Sequence, residues 1–239
     1  MLKKIDILIP YQDLSETLSE FPVKVHGFLM KNISPQYADE LHKQDLRPYS
    51  ICTLSNGKSI SIHISTLTET ASELIETMKK TSKIDIKGVK NKFSVEKYRE
   101  YKPVSFSEIA GNNQNNKFKL SFITPASYKS SGKNCFMPDI PAYFYSVVCK
   151  INKFESLNID FEKFKKIYSE VNIIGYAFQS INYNLTGNII PSMIGEIHLE
   201  IPKNKEKFDI LYKVFTYAMY SGVGGKTALG MGGFVIENL

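Results

Sequence analysis

Residues 49–65, YSICTLSNGKSISIHIS, contain two runs of alternating apolar and polar residues on either side of Asn56-Gly57. Alternation with a period of two places the apolar side chains on one face of a β-strand. Asn-Gly is the dipeptide most typical of a tight two-residue turn, because both of its residues tolerate a positive φ. The stretch therefore predicts an antiparallel hairpin with strands over 49–54 and 59–65.

The segments on either side of this hairpin alternate between strand and helix patterns. Residues 4–9 alternate like a strand, and residues 25–33 carry apolar side chains at helical spacing. Ser34-Pro35 predicts that a second helix begins there. After the hairpin, residues 71–78 have the spacing of an amphipathic helix, and two strand-like pieces follow at 84–86 and 93–101. The first half therefore has the order strand, helix, strand, strand, helix, strand.

The second half repeats this order after a polar linker, GNNQNN, at residues 111–116. Its predicted elements are a strand at 118–122, a helix at 140–151, strands at 173–183 and 197–201, a helix at 208–219 and a strand at 229–236. Two βαββαβ units predict an α+β protein with two tandem ferredoxin-like (RRM-like) domains, which we expect over 1–111 and 117–239. Many unrelated proteins share this fold, so it does not by itself assign a function.

The composition of the 239 residues is that of an ordinary globular protein, since 43% are hydrophobic and 23% are charged. Disordered and collagen-like proteins have other compositions. The three cysteines are too widely spaced for a disulfide framework or a Cys-x-x-Cys metal knuckle. Apolar runs are far shorter than the roughly 20 residues that span a bilayer, and residues 1–4 lead directly into a strand rather than a signal peptide. We therefore expect a soluble, cytoplasmic protein that does not bind a membrane.

The net charge of +6 is concentrated in one segment. Residues 79–102 contain nine basic and three acidic residues, which accounts for the whole excess. A second stretch, 117–133, has four lysines, interleaved with aromatic residues, and no acidic residue. Lysines that pair with phosphates and aromatic rings that stack on bases are typical of single-stranded nucleic acid sites. A solvated lysine-rich surface explains either stretch equally well, so both interpretations stay open.

Six glycines lie within residues 221–234, SGVGGKTALGMGGF, between the last predicted helix and the last predicted strand. A Walker A motif needs a glycine where this chain has Tyr220, and both that motif and the dinucleotide fingerprint run from a strand into a helix. Nucleotide-binding motifs of these two kinds are therefore excluded. A loop this rich in glycine can bring backbone N–H groups close to a phosphate, with Lys226 as a point charge. The alternative is a helix cap followed by a glycine-kinked edge strand.

Several separated motifs share their order with one protein family. They are the string at 221–234, HGFLM at 26–30, ADELH at 38–42, RPYS at 47–50, and the segment from Thr124-Pro125 to Met137-Pro138. In this order they resemble the CRISPR-associated repeat-processing endoribonucleases of the RAMP superfamily, which end in a similar glycine-rich signature. The resemblance extends over essentially the whole chain. It implies tandem ferredoxin-like domains and cleavage of CRISPR precursor RNA within its repeats.

RNA carries its own nucleophile, the 2′-hydroxyl, so its cleavage needs only a base, an acid and a cation beside the phosphate. Histidine suits either proton-transfer role because its ordinary pKa lies near neutral pH. His63 and His198 alternate with apolar strand residues, so we expect them on polar strand faces. His26 is explained as well by packing or capping as by chemistry. His42, at the end of a helix and followed by a loop with cations, is the strongest catalytic candidate.

The resemblance implies a catalytic histidine assisted by a lysine or arginine and often by a tyrosine. By position, His42 matches the histidine as general acid or base, and Arg47 matches the cation. Lys31 is a second candidate for stabilising the phosphate. Met30 stands where some members have the tyrosine, so Tyr37 and Tyr49 are possible substitutes, and Tyr37 is the candidate for orienting or proton transfer. The implied products are a 5′-hydroxyl and a 2′,3′-cyclic phosphate or 3′-phosphate, with no metal ion and no cofactor.

The predicted RNA-binding residues lie in the glycine-rich loop and in the preceding lysine-rich stretch. They are Lys129, Lys133, Gly222, Gly224, Gly225, Lys226 and Thr227. The expected partner is CRISPR repeat RNA, effector-complex subunits are a second candidate partner, and the expected state is a monomer or a weak homodimer. A different function stays open at this point: a non-catalytic RAMP subunit that binds guide RNA in an effector complex.

Overall fold

The computed structural model describes residues 1–10, 20–85, 93–109, 111 and 115–239. In the first half, the described residues form a four-stranded sheet, helices on one of its faces and a short two-stranded ribbon. The elements are β1 (Lys3–Pro10), α1 (Phe21–Asn32), α2 (Pro35–Lys43), β2 (Tyr49–Ser55), β3 (Ser59–Thr66), α3 (Ser72–Lys79), β4 (Lys83–Ile84), β5 (Phe93–Ser94) and β6 (Lys97–Glu100).

The first sheet has the strand order β2-β3-β1-β6, with antiparallel pairing throughout. The side chains of Ile5, Ile7 and Ile9 are buried in a core shared with the helices, while the intervening residues of β1 are only partly buried. In the turn between β2 and β3, the Asn56 side-chain oxygen accepts hydrogen bonds from two following N–H groups, and Gly57 has a φ of +81°. The predicted hairpin is therefore confirmed, but its turn is longer than the expected two residues, since Ser55 pairs with Ile60 and Gly57 alone of the Asn-Gly pair has a positive φ.

The second half contains another four-stranded sheet and a small hairpin beside it. Its elements are β7 (Lys117–Ala126), β8 (Tyr128–Ser130), β9 (Lys133–Cys135), α4 (Ile140–Phe154), α5 (Phe161–Tyr168), β10 (Asn172–Leu185), β11 (Asn188–Glu200), α6 (Lys205–Ser221) and β12 (Phe234–Asn238). The sheet order is β10-β11-β7-β12, again antiparallel. Both sheets therefore place their strands in the order second, third, first, fourth. This is the arrangement expected of two tandem ferredoxin-like domains, and the predicted fold class is confirmed.

Three strand predictions differ most from the structure in their bounds. The strand expected at 197–201 is β11, which begins at Asn188 and ends at Glu200. The strand expected at 93–101 is divided into the short strands β5 and β6. The last strand begins at Phe234 rather than Leu229, because Thr227–Leu229 form a 3₁₀ turn and Gly230 and Gly232 have positive φ values. The positive φ values keep this segment out of the extended conformation. The middle of the basic segment, 86–92, and linker residues 112–114 lie outside the described residues.

The two halves pack closely against each other. Leu2, Leu67 and Ile109 belong to the core of the second half, whereas Ala228 belongs to the core of the first. The Ser50 hydroxyl also donates a hydrogen bond of 2.7 Å to the backbone oxygen of Tyr220. Because each half contains a four-stranded sheet with the same strand order, we propose two domains with the bounds 1–111 and 117–239. In the described part of the chain, no helix combines the length and the apolar character needed to cross a membrane.

Candidate functional site

A cleft of about 690 Å³ opens between the two halves of the molecule. Its first wall is formed by His26 of α1 and by the loop that leads into β2; its second wall is formed by β8, by α4 and by the glycine-rich segment. Six of the residues predicted from sequence line it: Arg47, Lys129, Gly224, Gly225, Lys226 and Thr227. The fold therefore brings together cations that are about 180 residues apart in the sequence.

Arg47 lies on the first wall and is held over the end of α2. Its guanidinium donates hydrogen bonds to the backbone oxygens of Gln44 and His42, the latter at 3.3 Å. The side chain is only partly exposed. Because both acceptors are neutral carbonyls, no carboxylate among its hydrogen-bond partners in the described part of the chain neutralises the guanidinium. Arg47 therefore presents a fixed positive charge beside the turn that carries His42.

His26 lies in the same wall. The sequence is explained equally well by a packing or capping role and by a catalytic role for this residue. Its ring stacks on Tyr49 with centroids 6.2 Å apart. Burial, followed by the positive charges of Arg47 and His42, lowers the pKa of His26 to about 4. The repulsion indicates that the three groups lie near one another. A histidine with so low a pKa is neutral at pH 7 and has a lone pair that can accept a proton.

The other predicted catalytic residues differ in their placement. His42 and Lys31 are exposed at the ends of α2 and α1, and neither lines the cleft itself. Tyr37 is buried in the core of the first domain, and its hydroxyl has no hydrogen-bond partner among the described residues. Burial, followed by the charges of Glu73 and Glu40, raises the pKa of Tyr37 to about 12. This environment favours a packing role for Tyr37.

The glycines of the loop mainly allow its backbone to pack closely against neighbouring segments of the protein. Gly222 and Gly224 have φ values of +67° and +69°. A Cβ on Gly224 would lie 2.2 Å from the backbone oxygen of Ser127. The N–H groups of Gly222, Gly224 and Gly225 all donate to backbone oxygens of the protein, those of Ala218, Tyr143 and Ser127. These three N–H groups are therefore used within the protein, and RNA binding by Gly222, Gly224 and Gly225 stays a prediction.

The next three N–H groups of the loop are arranged differently. Lys226 has a left-handed conformation, with φ of +59°, and it precedes the 3₁₀ turn. The N–H groups of Lys226, Thr227 and Ala228 have no hydrogen-bond acceptor in the ranges that the structure covers. Successive N–H groups around a left-handed residue form a concave anion-binding arrangement. This part of the loop lines the cleft, with the exposed Lys226 side chain beside it.

Lys129 and Lys133 lie on the small hairpin formed by β8 and β9. Lys129 pairs with Asn134 across the hairpin, and both residues line the cleft. Lys133 is exposed near the turn of the hairpin and is outside the cleft lining, as is the buried Gly222. The hairpin therefore adds one of its two predicted lysines to the wall.

The cleft also contains a lysine that sequence reasoning missed. Lys150 lies on α4, is only 3% exposed, and donates a hydrogen bond of 2.8 Å to the hydroxyl of Thr227. The sequence did contain a signal: Tyr143, Val147 and Lys150 follow one another at helical spacing, so the lysine lies on the apolar stripe of its helix. A lysine in that position is buried against the core, where lysines are rare unless a partner is present.

Comparisons with known proteins show which family this chain resembles. Residues 120–234 match the family described as CRISPR-associated endoribonuclease Cas6. A CRISPR-associated endoribonuclease Cas6 of Streptococcus thermophilus is 24% identical over 237 residues, and the match covers 97% of each chain. A protein of the same name from Mycobacterium tuberculosis is 22% identical over 223 residues, which are 90% of this chain and 71% of that protein.

Solved structures support the fold over the whole length of the chain. A Cas6 product complex superposes with a TM-score of 0.79 at 16% identity and covers 100% of this chain and 99% of its own. A Thermus thermophilus Cas6 superposes with a TM-score of 0.74 at 17% identity, covering 99% and 98%. The Cas6 family model therefore matches the second half of this chain, and the two curated relatives that align over 90% or more of it are both named CRISPR-associated endoribonuclease Cas6.

Proposed function

We propose that this protein is a metal-independent endoribonuclease that cuts CRISPR precursor RNA within each repeat and so generates guide RNAs. The observation that carries the proposal is that His26 and Arg47 line one wall of a cleft whose other wall carries Lys226, while Arg47 also donates a hydrogen bond to the backbone oxygen of His42 just outside the cleft. Proton-transfer groups beside fixed cations are what transesterification by a 2′-hydroxyl requires.

The two histidines fit different steps. His26 is neutral near pH 7 and serves as the general base that removes the 2′-hydroxyl proton. His42, exposed at the end of α2 where its backbone oxygen accepts a hydrogen bond from Arg47, serves as the general acid that protonates the leaving 5′-oxygen. The Arg47 guanidinium stabilises the extra negative charge on the phosphorane. The products are a 5′-hydroxyl and a 2′,3′-cyclic phosphate, and no metal ion or cofactor takes part.

The second wall holds the RNA backbone. Lys129 and Lys226 pair with phosphates, and the N–H groups that follow Gly225 donate to one phosphate. Lys31 and Lys133 extend this positive surface from their exposed positions outside the cleft. Tyr145 and Phe161, whose rings meet edge to face at 5.0 Å, line the same cleft and offer aromatic surface to a base.

Cleavage without metal is the first expected result. Repeat RNA incubated with the protein in excess EDTA should be cut at one position, and the downstream product should carry a 5′-hydroxyl that polynucleotide kinase labels without prior phosphatase treatment. RNA that stays whole in EDTA but is cut when Mg²⁺ is added would contradict the mechanism. Tight binding of repeat RNA with no cleavage under either condition would instead identify a guide-RNA-binding subunit.

The second expected result is that the protein loses stability in acid, because His26 is neutral in the folded state. Its pKa lies near 4 in the folded protein and near 6.5 when unfolded, so the unfolded chain binds an extra proton between these values. The free energy of unfolding should therefore fall by up to about 3 kcal/mol as the pH drops from 6.5 to 4.

Urea unfolding at pH 7 and at pH 4.5, with His26→Phe as the matched variant, measures this loss. The aromatic ring of the variant keeps the stacking on Tyr49 and cannot be protonated. The variant should lose less stability than the wild type between these two pH values. An equal loss in both proteins would show that His26 is not the buried neutral group described above.

A further inference from the structure

Lys150 is a buried cation without a carboxylate partner among the described residues. Its side chain extends from α4 to the floor of the cleft, and its ammonium donates to the backbone oxygen of Ser221 at 2.6 Å and to the hydroxyl of Thr227 at 2.8 Å. Both acceptors are neutral. Burying an ammonium is costly unless it is paired and hydrogen-bonded, so the charge of Lys150 lacks compensation within its hydrogen bonds.

The two acceptors lie at opposite ends of the glycine-rich turn. Ser221 is the last residue of α6, and Thr227 is the first residue of the 3₁₀ turn. Residues 222–226 connect them, and Lys226 at the end of this turn has a left-handed backbone. One ammonium therefore bridges the beginning and the end of the turn.

We propose that Lys150 is a positioning residue for RNA binding: its ammonium holds the ends of turn 222–226 together, and an RNA phosphate bound in the cleft supplies its counter-charge. The inference rests on the proposed function, because it takes the ligand of the cleft to be the backbone of an RNA. It assigns to a buried residue of the second domain a role that its apolar position on α4 does not suggest.

The linkage between charge and binding gives this proposal a direct consequence. Burial lowers the pKa of Lys150 to about 7. A phosphate beside the ammonium favours its protonated form, so RNA binding takes up a proton whenever the pH is above 7. RNA affinity should then fall as the pH rises through 7 to 8.5. The other charged and titratable groups that face this part of the cleft are His26, Asp45, Arg47, Lys129, Asp139, Tyr128, Tyr145 and Lys226.

The test measures the dissociation constant of repeat RNA that carries a 2′-deoxy nucleotide at its cleavage position. Wild-type Lys150, Lys150→Arg and Lys150→Met are compared between pH 6.5 and 8.5, and all three proteins carry His42→Ala so that this imidazole does not contribute. Arginine stays protonated throughout, and methionine carries no proton. All remaining titratable groups are shared by the three proteins.

With Lys150 present, the dissociation constant should rise about tenfold over this pH range. For Lys150→Arg, the dissociation constant should change less than about threefold over the same range. For Lys150→Met, it should be higher than that of the Lys150 protein at pH 6.5, and it should also change less than about threefold with pH. If Lys150→Arg fails to fold, as judged by circular dichroism, the comparison with Lys150→Met decides. Equal pH dependence in the wild-type background and in the folded variants overturns the inference. RNA that neither binds to nor is cut by the wild-type protein refutes the proposed function instead.

Discussion

Replacing His42 with alanine should reduce the single-turnover rate of repeat cleavage by about 10² to 10⁴, the usual contribution of a general acid or base. The affinity for RNA should change little, because His42 is exposed at the end of α2 and its only hydrogen bond that involves Arg47 is made by its backbone oxygen. Alanine keeps that carbonyl. The fixed position of Arg47 is therefore retained while the imidazole is removed.

The matched control for this variant is His198→Ala. His198 is partly exposed on β11, where it contacts Glu196 at 3.1 Å, and it does not line the cleft. Its replacement should leave the cleavage rate within about twofold. A His42→Ala protein that cuts as fast as the wild type, or a His198→Ala protein that loses as much activity, would remove His42 from the mechanism.

Replacing Gly224 with alanine should have the largest effect on the folded structure of the cleft. Gly224 has a φ of +69°, and an added Cβ would lie 2.2 Å from the backbone oxygen of Ser127. The left-handed backbone and the overlap together should cost about 2–4 kcal/mol. The melting temperature should fall by about 5–15 °C, and repeat RNA should bind more weakly because the turn can no longer close against Ser127.

Gly225→Ala provides the control within the same turn. Its backbone is outside the left-handed region, and an added Cβ would meet only the Ser127 oxygen, at an ordinary 3.8 Å. The melting temperature of Gly225→Ala should stay within about 2 °C of the wild type. Equal destabilisation by both variants would mean that glycine content in general, rather than the packing at Gly224, maintains the turn.

The fold was predictable because its signals are local. Alternation in residues 49–65, the Asn56-Gly57 turn and the apolar stripes of the helices each depend on neighbours in sequence, and the structure contains all of them. The last strand was placed too early because two left-handed glycines interrupt its apolar pattern. Their conformation depends on packing across the turn, since a Cβ on Gly232 would meet the backbone oxygen of Val223 at 2.0 Å.

The candidate site was predictable only in part, because it is assembled from distant segments. Arg47, Lys129 and Lys226 could be chosen as cations and do meet in one cleft. The low pKa of His26 could not be foreseen, since burial and the charges of Arg47 and His42 cause it. Sequence also could not reveal that the first glycine N–H groups are used within the protein.

The central proposal is that a 2′-hydroxyl of the RNA, bound in this cleft, attacks the adjacent phosphate of the same strand without the help of a metal ion. The most direct measurement is single-turnover cleavage in excess EDTA of two repeat RNAs that differ by one 2′-deoxy nucleotide immediately upstream of the cut. We expect the all-ribose RNA to be cut at one position and the 2′-deoxy RNA to bind equally well but remain whole. Cleavage of both RNAs at the same position would contradict the proposed mechanism.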